Sequence, residues 1–414
     1  MKRLLQINPV LRANTSTGRI MQEIGELAMS RGWESHIAYS KGRDGVMPCK
    51  SHLVPVGSSL SVALHGIETR LLDRHGLGSR LATQQFVERI KALNPDIIHI
   101  HNIHGYFLNY KILFRYLASC GKPVIWTVHD CWLYTGHCYY YSAAGCFKWK
   151  TGCGDCPQRG EFPRSMFRDR SAQNFRDKAE AFGSMQRDKF IIVPVSEWIA
   201  SELRQSFLGG YDIRVLHNGI DTATFCPCPS DDIRTRYGLG NKHIILGLAS
   251  IWMKEKGLDD FIQLADMTTN DEVIVMVGRM TPDQQTRLPK SIVTISRTDN
   301  TAQLAQLYSA ATVFVNPTWQ DNYPTVNLES IACGTPVITY RTGGSTEAVT
   351  EGITGFVVEQ GNTTAIMSRV RDIKSRGKAS FTAPCRDFAL THFRKEDRYQ
   401  DYLDLYDQLL ATKD

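Results

Sequence analysis

Short, nearly unbroken apolar runs alternate with helix-period segments along the whole chain, and this alternation limits the fold more than any other feature. RLLQIN, SHIAYS, DIIHIHN, PVIWTVHD and FIIVPVS come first, and IRVLHNG, HIILGLAS, EVIVMVG, IVTIS, TVFVNP and PVITY follow. Strands this uniformly apolar have no solvent face, so they belong in parallel sheets covered by helices on both sides. Between the first two, RIMQEIGELAMSRG places Ile20, Ile24, Leu27 and Ala28 at helical spacing. A chain of 414 residues exceeds one hydrophobic core. The expectation is an α/β protein of two Rossmann-like, doubly wound domains, with ligand bound in an interdomain cleft at the carboxyl ends of the strands. The break falls between about residues 196 and 212, where the helix WIASELRQSF runs into Gly209-Gly210. That gives an N-terminal domain over 1–205, a C-terminal domain over 206–385 and a terminal segment over 386–414. In the last, Tyr399, Tyr402, Leu403, Tyr406 and Leu409 form one apolar stripe, which predicts a helix returning to pack on the N-terminal domain.

Composition excludes several classes. Hydrophobic residues make up 42% and charged residues 22%, ordinary values for a globular protein. A net charge of +6 is too dilute for a nucleic-acid binder, and fits either a scattered excess or weak attraction to anionic lipid or substrate. No apolar run approaches the roughly 18 residues that span a bilayer. The opening MKRLLQINPVLRANTS has too short an apolar segment for a signal peptide and reads as a strand. The expected location is therefore the cytoplasm. Without an export signal, the eleven cysteines point to reduced thiols or a metal site more than to disulfides.

Asp321 to Pro336, DNYPTVNLESIACGTP, carries the clearest chemistry. Asp321 belongs to the loop after TVFVNP, and Glu329, eight positions on, lies near the start of a helix. Amides at a helix N-terminus attract phosphate, and a carboxylate one turn along accepts hydrogen bonds from ribose or sugar hydroxyls. Together they suit a nucleotide sugar. The bland readings are a turn-forming Asp321 and a solvated Glu329. Earlier, WTVHD sets His129 and Asp130 at the end of a buried strand, where a histidine can donate to a sugar hydroxyl; a core histidine is the competing reading. His101, Asn102 and His104 follow another strand and line either the acceptor side or the core. The loop at 131–157 holds Cys138, Cys146, Cys153 and Cys156 at C-x7-C-x6-C-x2-C spacing. Four thiolates suit a structural zinc; a disulfide or redox pair, and unligated thiols, are the alternatives.

These pieces resemble the retaining glycosyltransferases of family 4, which have the GT-B architecture. The resemblance rests on Asp321 through Glu329 followed by ACGTPV, on LHNGID, on the KG of KEKGLDDFI, on NPT and on TGGSTEAV, in that order. It implies that Glu329 binds the donor ribose, that Asp321 with Pro324, Thr325 and Val326 positions the transferred sugar and its phosphates, and that Lys256 binds the pyrophosphate. His129 would contact the donor sugar, and Thr15, Ser16, Thr17 and Gly18 would form a loop touching phosphate or acceptor, with Asp130 and His101 nearby. The chain departs from the family pattern in three places. Asp321 replaces the usual Glu, only Gly18 remains of two adjacent glycines, and the usual phosphate-binding Arg falls at Ser250 or Ile251, leaving Lys254 or Arg279 to compensate. The segment HDCWLYTG through TGCGDCP is similar to capsule and colanic acid biosynthesis members, which makes Trp132 and Tyr134 candidate acceptor-binding aromatics.

The implied activity is retaining transfer of a hexose from a UDP- or GDP-sugar to a lipid-linked oligosaccharide during exopolysaccharide, capsule or O-antigen synthesis. No metal would take part in catalysis, and the protein would sit peripherally on the inner face of the plasma membrane. Two readings from other classes stand beside it: a non-catalytic protein that binds sugar nucleotides, and a zinc-stabilised nucleic-acid binder built on the cysteine loop.

Overall fold

Among the described residues the chain forms thirteen strands in two separate, all-parallel sheets. The protein is described by a computed structural model covering residues 1–11, 15–40 and 47–411. It divides into two units, Met1–His217 with Tyr399–Asp414, and Asn218–Arg398.

The first unit contains β1 (Arg3–Ile7), β2 (Glu34–Ser40), β3 (His52–Val56), β4 (Ile97–Ile100), β5 (Val124–Val128), β6 (Phe190–Pro194) and β7 (Asp212–Ile213), in the order β3-β2-β1-β4-β5-β6-β7. Successive residues point to opposite faces of a strand, and each face here has its own core. Ile98, Trp126 and Ile192 enter a large cluster with Phe114 and Phe182, while their neighbours Ile97, Ile125 and Ile191 enter a second with Ile20, Ile24 and Trp33. The second cluster is closed by the helix Lys395–Ala411, whose Tyr399, Tyr402, Leu403, Tyr406 and Leu409 are all buried in it.

A polar chain fixes that helix. Tyr406 Oη donates to His99 Nδ1 at 2.6 Å, His99 Nε2 donates to Thr127 Oγ1 at 2.7 Å, and Thr127 donates to Tyr402 Oη at 3.1 Å. Burial lowers the His99 pKa to about 3, so the imidazole stays neutral and can play both roles.

The second unit contains β8 (His243–Ile251), β9 (Glu272–Arg279), β10 (Val293–Ile295), β11 (Val313–Asn316), β12 (Val337–Tyr340) and β13 (Gly355–Val358), in the order β10-β9-β8-β11-β12-β13. Both sheets reverse direction of winding once, between β1 and β4 and between β8 and β11, and the crevices beyond those strand ends are the expected ligand positions.

Two details differ from the sequence expectation. IRVLHNG does not open the second sheet; only Asp212–Ile213 is extended there, and it pairs with β6 through Ile191 and Ile192 to finish the first. The edge strand β3 was not foreseen, because HLVPV is half-exposed and contains Pro55, which weakens the pattern of a covered strand. Among the described residues no helix is long and apolar enough to cross a membrane.

Tyr406→Phe should leave His99 Nδ1 unpaired in a closed core. The expected loss is about 1–3 kcal/mol of unfolding free energy, read as a lower urea midpoint with unchanged slope. An unaltered midpoint would show that this bond contributes nothing.

Candidate active site

Glycine at position 257 brings together the two loops that border the β8–β11 crevice. Its φ is +79°, and a Cβ there would stand 2.4 Å from the Pro317 side chain and 2.6 Å from the Pro317 carbonyl oxygen. Only glycine permits both the left-handed turn and the approach. The contact is stitched by Trp319 N–H donating to the Glu255 carbonyl at 2.9 Å and by Thr318 Oγ1 donating to the same oxygen at 3.2 Å. As a result Lys256, in the short turn Lys254–Lys256, meets Asp321 across the loops, with Nζ 2.7 Å from Oδ2. The other Asp321 oxygen accepts from the Asn322 N–H at 2.9 Å.

Three residues beyond Asp321 the chain enters the helix Thr325–Ala332, with Pro324 at its N-cap. Proline there has no side chain to satisfy the first amides, and Thr325 and Val326 are half-exposed. This leaves an N-terminus suited to an anion. The helix is pinned underneath. Asn327 donates to the Ser345 carbonyl at 3.0 Å and accepts from Asn316 Nδ2 at 2.9 Å, and Thr339 Oγ1 lies 2.7 Å from Ser345 Oγ. Glu329 is only 5% exposed and accepts from Tyr308 Oη at 3.1 Å.

Sequence reasoning missed Asn316, Asn327, Ser345 and Tyr308. Asn316 and Ser345 do lie inside the NPT and TGGSTEAV motifs, so an amide in the first and a hydroxyl in the second were the available signal. Lys254 and Arg279 are exposed at the carboxyl ends of β8 and β9 and, among the described residues, form no ion pair. They flank Ser250 and Ile251, where the resemblance lacks its arginine.

The first unit holds a second constellation at its own β1–β4 crevice. Gln6 Nε2 donates to the Met21 carbonyl at 2.9 Å, which turns its oxygen toward His101 Nε2 at 3.0 Å. His101 Nε2 must then carry a proton, so its Nδ1 accepts from His129 Nε2 at 3.3 Å. This sequence of bonds assigns the neutral His129 a bare Nδ1. In that tautomer the remaining nitrogen of His129 is an acceptor. Burial lowers its pKa to about 4, while Asp130 opposes that shift.

Burial also resists ionisation of Asp130, but the charge and hydrogen bond of His104, at 2.8 Å, together with the Trp132 N–H, hold its carboxyl below the usual range. Asp130 is thus occupied with His104 and the loop. His101 is fully buried, a support for His129 rather than a lining residue. Thr15, Ser16, Thr17 and Gly18 are not a loop: Thr15 is the N-cap, and the helix Ser16–Ser30 begins at once, with Gly18 buried. The residues just before it, 12–14, lie outside the described part.

The cysteine loop folds inward. Trp132 and Tyr134 are 1% and 0% exposed, so they pack the core and present no face to an acceptor. Lys178 lies beneath, its Nζ 3.6 Å from the Trp132 ring centre and donating to the carbonyls of Trp132 and Thr135. Burial brings its pKa down to about 7. The expected zinc site does not form. Cys138, Cys146, Cys153 and Cys156 border one cavity of about 20 Å³, yet among the described residues no three His, Cys, Asp or Glu side chains converge to hold a metal. All eleven cysteines are free, so no disulfide replaces it. Cys153 Sγ accepts from the Gly136 N–H at 3.1 Å, and a hydrogen bond between the Cys138 and Cys156 thiols lowers the Cys156 thiol to about 7 and raises its partner.

Residues 17–224, just over half of the 414-residue chain, match the family model described as Glycosyltransferase Family 4, and residues 242–375 match Glycosyl transferases group 1. The chain belongs to glycosyltransferase family 4. Among its relatives, Escherichia coli K12 WcaC, assigned as a colanic acid biosynthesis glycosyl transferase, is 28% identical over 234 residues, 53% of this chain and 55% of that one. A D-inositol 3-phosphate glycosyltransferase of Catenulispora acidiphila is 30% identical over 165 residues, 36% and 40% of the two chains. The chain spans about half the length of the curated relatives it matches. Among solved structures, sucrose-phosphate synthase from Thermosynechococcus elongatus superposes with a TM-score of 0.73 at 16% identity, covering 100% of both chains. Anabaena HepE in complex with UDP gives 0.69 at 15% identity, covering 99% of this chain and 100% of its own. The fold is GT-B.

Folded His129 and His65 titrate near 4, and His99 near 3, against 6.5 for an unburied histidine. Below 6.5 the unfolded chain therefore binds more protons than the folded one, and stability falls as pH drops from about 6.5 toward 4. Urea unfolding across that window should show the decline, with a shallower slope for His129→Asn. A stability independent of pH there would contradict the neutral histidine chain.

Proposed function

We propose that this family 4 protein transfers a hexose, with retention at the anomeric carbon, from a UDP- or GDP-sugar to a lipid-linked oligosaccharide in exopolysaccharide, capsule or O-antigen synthesis. The observation that carries the reading is the placement of Asp321 and Lys256 beside an open helix N-terminus, one turn before the buried Glu329. UDP in the HepE structure and the polysaccharide pathway of WcaC support the donor and acceptor classes.

In this reading the amides of Thr325 and Val326 and the side chains of Lys256, Lys254 and Arg279 take the diphosphate, whose negative charge grows as the sugar leaves. Two further cations without ion pairs would stand in for the missing arginine. Asp321, held by Lys256, would orient the sugar. Glu329, its carboxylate already oriented by Tyr308, would accept from the ribose hydroxyls. Nδ1 of His129 would accept from a hydroxyl of the transferred sugar. We assign front-face displacement, with a donor phosphate oxygen taking the acceptor's proton. The reaction as proposed draws its stabilisation from these side chains and the helix dipole. The protein would work at the cytoplasmic face of the membrane.

Asp321→Ala should lower kcat by about a hundredfold or more, measured as nucleoside diphosphate release with acceptor present. Glu329→Ala should weaken donor binding by about tenfold, measured as lost thermal stabilisation by UDP-sugars. Donor turnover unchanged in both variants would remove the transferase reading and leave a binding protein.

A further inference from the structure

The helix Ser59–Leu72 of the first unit is apolar on the wrong side. Its inward face carries Val62, His65, Gly66 and Thr69. Its outward face carries Leu60, Leu64, Ile67 and Leu71, which are 68%, 57%, 51% and 42% exposed. Spacings of four, three and four set these side chains in one row. The row continues past the helix end, because the Met166 N–H donates to the Arg70 carbonyl at 2.7 Å and fixes the following loop there. That loop exposes Phe162, Met166 and Phe167 at 53%, 52% and 69%. Among the described residues, seven of the fifteen exposed large hydrophobic ones thus fall in one region, whereas scattered single ones need no explanation.

The charges around the row are unbalanced. Arg70, Arg164 and Arg168 form no ion pair among the described residues. Of the nearby acids, Glu68 pairs with Arg74 at 3.1 Å, while Asp169 accepts from Cys156 N and from Ser171 and keeps its charge. Glu161 and Asp169 are exposed acids of the loop without an ion pair among the described residues, against the three such arginines. A two-fold contact with a second copy would set the same arginines against one another. Lipid headgroups carrying negative charge would meet them favourably while the leucines and phenylalanines enter the acyl boundary.

We infer that this face, helix Ser59–Leu72 with the loop bearing Phe162, Met166 and Phe167, docks the protein on an anionic phospholipid bilayer. The inference rests on the lipid-linked acceptor proposed above, and it places the acceptor's membrane at a defined surface of the first unit.

The test is co-sedimentation of the full chain with vesicles of phosphatidylcholine, with and without a one-third fraction of phosphatidylglycerol. The wild type should sediment with the anionic vesicles and be released by high salt. Leu64→Glu with Ile67→Glu should weaken binding about tenfold, and Arg164→Glu with Arg168→Glu about threefold with a reduced salt response. Stabilisation by UDP-sugar should be unchanged in all of them, which shows that they fold. Wild-type protein left in the supernatant, or variants that bind as well as it does, would overturn the inference. So would a light-scattering mass of two chains that falls to one in Leu64→Glu with Ile67→Glu, since the face would then be a contact between copies. Vesicle binding without any UDP-sugar stabilisation would spare this inference and sink the transferase reading instead.

Discussion

The backbone contact of Gly257 with Pro317 is the constraint on which the candidate donor site depends. Without it the loops after β8 and β11 would not meet, and Lys256 would have no route to Asp321. The ion pair itself is weak as a source of stability, because Lys256 is 37% and Asp321 18% exposed, and such pairs contribute about 1 kcal/mol or less. Its value is positional. Two opposite charges are held at 2.7 Å beside a helix start that has no side-chain cap, so a diphosphate meets a prepared cation and open amides together.

Preparation by buried hydrogen bonds recurs in the first unit. A single carbonyl, that of Met21, orients Gln6, then His101, then His129, and the last nitrogen in that series is left as an acceptor. The His99 chain uses the same device to hold the final helix. Both depend on imidazoles kept neutral by burial, which is why their effect on stability appears only as the solution becomes acidic.

Covered strands and the Asp321–Glu329 element were legible because their patterns are local: apolar runs in one case, a fixed spacing and a helix start in the other. Asn316, Asn327, Ser345 and Tyr308 were not, since each acts through partners distant in sequence. The cysteine loop misled for the same reason. Its spacing fits four thiolates on a metal, but Cys153 is turned to the Gly136 amide and Cys138 to Cys156, and tertiary packing around Trp132 and Lys178 decides the outcome. The apolar row at Leu60, Leu64, Ile67 and Leu71 has ordinary helical periodicity, and only the structure reveals which face of that helix is covered.

Amide hydrogen exchange of the full chain with and without a UDP- or GDP-sugar tests the central claim most directly. The account predicts slowed exchange at residues 254–257 and 319–329, with Thr325 and Val326 among the most protected. Protection confined to the cysteine loop at 131–157, or none at any tested donor concentration, would contradict it.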